Sequence, residues 1–527
     1  MRKWAKRLYF DRRLIKRAFL LKKEYNQGHS NTRKGRSGYL SSVFFPLDQL
    51  KAFWTLIVFI SVVFFIIRSF NNKKHRNYNR IKFKIDYGTI PIIGVLILIL
   101  TFNLNNEVLL RGIIGSQAIH PYGILIIFFS LAYICISLDS TGLFSYIALK
   151  VALHSGNSIK KLFFYFFILS GSLTIFTSND IVILTLTPII IYFSQYTKIN
   201  PMPFLIAQFF SANIWSCFLY IGNPTNIIVS QAFNLGFLEY LQWSALPTIF
   251  AGIGSLLIML WVFRKDLHQP IQLPDLSAHT TLKDKPGAII GVVVLLSCLL
   301  LLSLDHFVKA PLWIICLSSA LIMLSKDLIF DFYRANVFGL RLVPFPTEDR
   351  TKGLAKGVGN SVKPTFVTYR VVRLVPWKVL PFVLGMFILV EGLVYAGWVD
   401  VMARGMSQAS QTVPSALFLF MGMSVLFSNL MNNQPMTILF TQILASPSFL
   451  VLEAEKMGSI FALIFGSNFG ANFTPLGALA GIMWLQILSK KGIALSYRHF
   501  FKYGVSIMPI VILIATLVLL LEVRFAF

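Results

Sequence analysis

Charge is what this chain has least of. Asp, Glu, Lys and Arg make up only 13% of its 527 residues, against roughly a quarter in an ordinary soluble chain. So little charge cannot cover a water-facing surface, which excludes a soluble multidomain enzyme and an unfolded polar chain. Acids are the scarcer sign, 21 Asp and Glu against 48 Lys and Arg. Cysteine is nearly absent. The four present (Cys135, Cys217, Cys298 and Cys316) sit singly in apolar runs without a CxxC pair, so neither a disulfide framework nor a zinc site is expected. The eight His form no HExxH-like pattern, which argues against a metalloenzyme.

Hydrocarbon is abundant. Hydrophobic residues make up 56% of the chain, 49 of them Phe, and the mean hydropathy is +0.70. Runs such as Ile90–Thr101 and Ala288–Leu302 point to lipid. The expected fold is an all-α polytopic membrane protein. A bilayer core of ~30 Å takes about 20 helical residues, and segments of that kind number about 11–13. They lie near 50–67, 88–104, 120–138, 204–221, 245–263, 287–304, 309–325, 376–396, 414–430, 436–452, 457–474 and 503–523. Two further runs, 162–177 and 181–196, look short for spanning, at ~24 Å each.

The positive charge is concentrated at the N-terminus. Residues 1–48 carry 13 Lys/Arg against Asp11, Glu24 and Asp48, and residues 68–86 carry 7 against Asp86. Basic segments beside apolar spans suit an anionic cytoplasmic leaflet better than nucleic acid. Residues 1–26 mix Lys and Arg with Trp4, Leu8, Phe10, Leu14, Phe19 and Leu20, as an interfacial helix does. Segment 50–67 has basic blocks on both sides, which leaves open whether it crosses. The expected organisation is a basic N-terminal segment (1–48), a hydrophobic segment with its basic loop (49–86), a first repeat (87–326), a cytoplasmic linker (327–375) and a second repeat (376–527). The linker is Gly- and Lys-rich but holds no GxxxxGK[ST] phosphate loop. Any transport would therefore be driven by an ion gradient or by a separate soluble ATPase subunit.

Polar islands interrupt the apolar pattern twice. Ser178-Asn179-Asp180 is followed by Gly222-Asn223-Pro224-Thr225-Asn226, and Ser428-Asn429 by Gly470-Ala471-Asn472-Phe473-Thr474-Pro475. Asn179 and Asn223 are 44 residues apart, Asn429 and Asn472 are 43 apart, and the two sets are offset by about 250. In hydrocarbon every backbone N–H and C=O needs a partner, so broken helices survive only where they line a cavity or bind something. Each half is thus expected to hold a broken helix, and the short runs 162–177 and 181–196 read as a re-entrant hairpin with Ser178-Asn179-Asp180 at its tip.

Asp180 is the sharpest single residue. A carboxylate at membrane depth costs at least ~2.5–3.5 kcal/mol on insertion scales, so it usually serves a function. It either caps a helix beginning at Ile181 or carries a proton, and it can do both. Asp139 reads as a helix end, Glu391 as half of an interhelical pair, and Cys217 as an inert buried thiol.

The segments SNDIVILTLTPI, SANIWSCFLYIGNPTNIIVSQAF and FGSNFGANFTPLGALAGIMWLQILSKKG resemble the arsenite permease family. That family includes the arsenical pump membrane proteins and lies near the NhaD-type sodium/proton antiporters of the ion transporter superfamily. The resemblance covers roughly 85–325 and 376–523. It implies two inverted repeats, each with a re-entrant hairpin and a broken helix, and the ligand between hairpin tips and helix breaks. Carried over, the site holds Ser178, Asn179, Asp180, Asn223, Thr225 and Asn226 from the first half, and Ser428, Asn429, Asn433, Asn472 and Thr474 from the second. Dicarboxylate carriers of the superfamily have Ser-Asn-Thr at both tips, whereas this chain has Ser-Asn-Asp and Ser-Asn-Leu. The expected function is export of arsenite or antimonite by proton antiport, with sodium/proton antiport as the alternative. No cofactor beyond the coupling H⁺ or Na⁺ is expected. The expected partners are the bilayer, most simply the plasma membrane, a small inorganic substrate and a second copy of the chain.

Overall fold

Helices follow the apolar runs, and caps, Gly and Pro end them. The computed structural model describes residues 47–71, 86–115, 119–268, 281–308, 310–338 and 366–527, and among these it has no β-strand. The first half comprises α1 (Leu47–Asn71), α2 (Ile90–Leu100), α3 (Asn106–Ile114), α4 (Pro121–Ser140), α5 (Leu143–His154), α6 (Ile159–Phe176), α7 (Asn179–Thr197), α8 (Met202–Trp215), α9 (Pro224–Ala232), α10 (Phe237–Val262), α11 (Lys285–Ser303) and α12 (Leu312–Phe338). The second comprises α13 (Val367–Leu374), α14 (Val379–Tyr395), α15 (Trp398–Ala409), α16 (Val413–Met431), α17 (Asn433–Ala445), α18 (Glu453–Gly470), α19 (Leu479–Lys490) and α20 (Tyr497–Ala526). The amphipathic stretch 1–26 and the Gly-rich part of the linker lie outside the described residues.

Taking α13 and α14 together as one stretch (Val367–Tyr395), ten of the described helical stretches are long and apolar enough to cross a bilayer, α1 among them. Their outer faces confirm the solvent. Leu246, Phe250, Ile253 and Leu257 run down one side of α10, and Ile510, Leu513, Leu517 and Leu521 down one side of α20, all exposed. Stripes of that size would make a soluble protein aggregate; against acyl chains they are the favourable surface. This is a multi-pass integral membrane protein.

The order of elements occurs twice. A long helix (α4, α14) ends in a left-handed glycine, Gly142 at φ 87° and Gly397 at φ 80°, that opens a 12-residue helix (α5, α15). A helix pair (α6–α7, α16–α17), an interrupted helix (α8–α9, α18–α19) and a long helix (α10, α20) follow in each half. Packing repeats too: α6 and α7 lie on α8, as α16 and α17 lie on α18. The halves then cross over. α7 packs on α19, α9 on α17, and α10 on α20.

Three details differ from the sequence expectation. The arms of the first hairpin are 18 and 19 residues, ~27–29 Å at 1.5 Å per residue, because Ser158 caps α6 earlier and α7 runs on to Thr197. Shortness therefore does not distinguish them from spanning helices. The linker starts later than residue 327, since α12 continues to Phe338. It does so around buried charge: Lys326 Nζ pairs with Asp327 at 2.7 Å, and Asp327 also accepts from Ser137 Oγ (2.7 Å) and Tyr133 OH (2.9 Å) on α4. One turn on, Asp331 accepts from the backbone N–H of Val367 and Thr368, capping α13 from outside its own helix. Third, α7 and α17 open at Asn179 and Asn433, 254 residues apart. The counterpart of Ser178-Asn179 is thus Asn432-Asn433. Ser428 and Asn429 lie in the last turn of α16 instead.

Candidate functional site

Two helices stop and restart, and each stop frees backbone groups that must be satisfied. α8 ends at Trp215, whose indole is wedged between Gly171 of α6 and Gly252 of α10; a Cβ at either glycine would lie 2.5 Å from the ring. The chain then turns through Tyr220–Gly222 and resumes as α9, with Pro224 in its first turn and Asn223 Oδ1 accepting from Thr225 N–H at 3.2 Å. Side chains take up three of the carbonyls released in the turn. Asn226 Nδ2 donates to Ser216 O (2.8 Å), Tyr240 OH to Cys217 O (2.9 Å) and Ser244 Oγ to Phe218 O (2.9 Å).

The second break uses the second hairpin. Asn429 Nδ2 donates to Gly470 O (2.9 Å), Asn432 Nδ2 to Leu476 O (3.0 Å), and Asn433 N–H to Gly477 O (2.9 Å). Thr474 Oγ1 donates to Asn429 Oδ1 at 2.7 Å. Ser428 donates back to Ser424 O of its own helix, and Asn433 Nδ2 reaches Ser467 O at 3.4 Å. These side chains hold the broken backbone in shape.

Between the breaks lies a buried carboxamide network that joins the halves. Asn179 Nδ2 donates to Asn213 Oδ1 (2.9 Å), and Asn213 Nδ2 to Asn472 Oδ1 (2.8 Å). Asn468 Oδ1 accepts from Ser216 Oγ (2.8 Å) and Asn223 Nδ2 (2.7 Å), while Asn468 Nδ2 donates to Asn226 Oδ1 (2.7 Å). Ser467 Oγ reaches Thr225 Oγ1 at 3.3 Å. Asn213 and Asn468 are the hubs, and both are fully buried. Sequence reasoning missed them because each sits inside an apolar run, before the Gly/Pro break that marks an island. A signal existed: Phe209-Phe210-Ser211-Ala212-Asn213 and Ile464-Phe465-Gly466-Ser467-Asn468 repeat at the ends of α8 and α18.

Asp180 lies in the first turn of α7, next to this network. Ser178, not Asp180, is the cap: its Oγ accepts from Ile181 N–H. The Asp180 N–H donates to Asn179 Oδ1 at 2.9 Å. Among the described residues its carboxylate makes no hydrogen bond or ion pair. Burial pushes the nearby Tyr87 phenol up to about 12, and the charges of Asp86 and Asp180 add to that. A cavity of about 10 Å³, room for one water, is lined by Thr177, Ser178, Ile181, Pro224 and apolar side chains of α4. It ties the first tip to the first break.

The chemistry of the cluster is uncharged. Each Asn brings two donors and one acceptor oxygen, and no Lys, Arg or His is bonded into it among the described residues. The four Cys are free and buried. No group of three or more His, Cys, Asp or Glu that could hold a metal occurs among the described residues. Such a centre fits a small neutral polyhydroxylated solute, or a monovalent cation through its oxygens, with one carboxylate beside it.

Known proteins agree with a transporter. An arsenical pump membrane protein of Escherichia coli is 28% identical over 395 residues, 74% of this chain and 84% of the relative. Its counterpart in strain K12 is 29% identical over 396 residues, with the same coverage. A 46 kDa membrane protein of Mycobacterium leprae is 23% identical over 410 residues, 76% of this chain and 86% of that one. The fold is similar to the crystal structure of the Alcanivorax borkumensis YdaH transporter, at TM-score 0.50 and 12% identity, over 92% of this chain and 99% of that one. The citrate transporter (CitMHS) family model matches residues 62–455, which take in both hairpins and the first break. The chain is a membrane transporter and belongs to the CitMHS family.

Proposed function

We propose that this transporter exports arsenite or antimonite in exchange for protons by alternating access, with Asp180 as the proton carrier and the carboxamides and hydroxyls around the two breaks as substrate ligands. The observation that carries this reading is the uncharged network centred on Asn213 and Asn468, which joins both halves beside one unpaired carboxylate. Trivalent arsenite is neutral and hydroxylated at pH 7, so it can trade hydrogen bonds with amides and needs no counter-charge. Citrate would need cations that the cluster lacks among the described residues. The similarity to arsenical pump membrane proteins points the same way.

Alternating access is supported by the twice-used element order, with each half's tip helix packed on the other half's post-break helix. Rocking of one repeat against the other would then open the shared centre to either side. The test is arsenite accumulation in energised everted vesicles, with and without a protonophore. Uptake that collapses with the protonophore, and that Asp180→Asn abolishes in correctly folded protein, is the expected result. Wild-type transport by Asp180→Asn would remove the proton-carrier role. No uptake by folded protein would move the assignment to sodium/proton exchange.

A further inference from the structure

The two hairpins are unequal. Counting from the start of each second arm, Gln434 corresponds to Asp180 and Thr441 to Thr187. Counting back from the ends of α8 and α18, Gln208 corresponds to Leu463. In the first half, Thr187 Oγ1 donates to Gln208 Oε1 at 3.0 Å. In the second, Leu463 offers nothing, and the Thr441 hydroxyl has no hydrogen bond. Neither has the Thr437 hydroxyl one turn earlier, nor Gln434 Oε1.

These three side chains are 3%, 0% and 0% exposed for Gln434, Thr437 and Thr441. At spacings of three and four they share one face of α17. A buried helical Thr normally returns its hydroxyl to the carbonyl four residues back, as Thr174 and Thr516 do here. Thr437 and Thr441 do not. α9, which packs on α17, adds a fourth such group in the buried Ser230 hydroxyl. Orphaned buried polar atoms are rare, and a run of them along one helix calls for a polar guest.

We propose that this face of α17 lines a file of ordered water leading from the Asn432-Asn433 tip to the C-terminal end of α17. The spacing favours water over a metal ion. The three side chains are set ~4.5 and ~6 Å apart along the axis, gaps that one bridging water closes, whereas a cation needs its oxygens to converge. At the far end Ser446 Oγ donates to Asp400 at 2.6 Å. Along such a file each hydroxyl accepts one proton and donates its own to the next, so a proton crosses with no net charge left behind. The α7 face has no such path, because Gln208 already occupies its threonine. In taking the tip as the inner end of the path, the inference rests on the proposed function.

Radiolytic hydroxyl-radical footprinting of the full-length chain in lipid nanodiscs, without substrate, tests it, because radicals formed from bound water mark the side chains beside it. Thr437 and Thr441 should be oxidised several-fold faster than Thr187, an equally buried threonine at the corresponding place. Thr437→Val should bring Thr441 down towards the Thr187 rate. Equal labelling of Thr441 and Thr187 in the wild-type chain overturns the proposal, and so does labelling of Thr441 that Thr437→Val leaves unchanged. Should the variant fail to fold, the wild-type comparison still decides. Since no substrate is present, a negative arsenite assay leaves this result untouched.

Discussion

Replacing Asn468 with alanine removes four hydrogen bonds of 2.7–2.8 Å, and the partners do not suffer equally. Ser216 Oγ keeps Asn213 O, Ile464 O keeps Ser467 Oγ, and Asn226 Oδ1 keeps Thr225 Oγ1 at 3.4 Å. Asn223 Nδ2 loses the one partner it has among the described residues. Leaving a buried donor unmade costs about 1–3 kcal/mol, and the lost interhelical bonds add about 0.6 kcal/mol apiece by the measure of other membrane helices. The total expected for Asn468→Ala is therefore about 3 kcal/mol, dominated by one orphan. Asn223→Ala leaves Asn468 Oδ1 bonded to Ser216, but it also removes the cap that Asn223 Oδ1 gives the Thr225 N–H, and it should cost about 1–3 kcal/mol as well. A double-mutant cycle on the pair should give a coupling of about 1 kcal/mol, read from reversible unfolding in mixed micelles of SDS and a mild detergent. A coupling below about 0.3 kcal/mol, the additivity limit for independent sites, would refute the claim that this network holds the halves together.

Other perturbations have signs that the structure fixes. Asp327→Asn strands the Lys326 charge, which is 8% exposed, and should destabilise by about 3–5 kcal/mol, whereas Lys326→Met with Asp327→Leu should recover most of that in the same unfolding assay. Gly171→Ala puts a Cβ 2.5 Å from a Trp215 ring that Gly252 blocks from behind. It should cost about 1–3 kcal/mol as overpacking, while Gly422→Ala, with open space around it, should leave the thermal midpoint in place. Tyr87 should make the fold alkali-sensitive. Its folded value, about 12, lies above the ordinary 10.0, so stability intact below pH 10 is lost as pH rises towards 12. Tyr87→Phe should withstand a higher pH, and identical alkaline unfolding curves would contradict this.

Much of the fold was legible because bilayer physics is written into composition. Ile90–Leu100, Lys285–Ser303 and Tyr497–Ala526 are helices where the apolar runs placed them. The polar islands were legible because Gly and Pro gather at them among Asn, Ser and Thr: Gly222 lies in the first break, 216–223, with Pro224 just after it, and Pro475 and Gly477 lie in the second, 471–478. Register was not legible. Ser178-Asn179 looks like Ser428-Asn429, yet the first pair opens a helix and the second closes one. The similar spacings of 44 and 43 residues thus joined positions at opposite ends of their breaks: Asn223 closes the first, and Asn472 stands near the start of the second.

The sequence by itself determined that the chain lives in lipid, that it is helical, and that its polar matter is gathered in two places about 250 residues apart. Those are local properties, set by side-chain hydrophobicity and by what a backbone without water can tolerate. Which asparagines meet was decided by tertiary structure alone. The bonds that join the halves in the centre link residues 242 to 259 positions apart, from Asn226–Asn468 to Asn213–Asn472, and no periodicity carries information over that distance. They form because each half's tip and post-break helix pack against the other half. That packing buries the amides together, and in hydrocarbon amides buried together have only one another to bond.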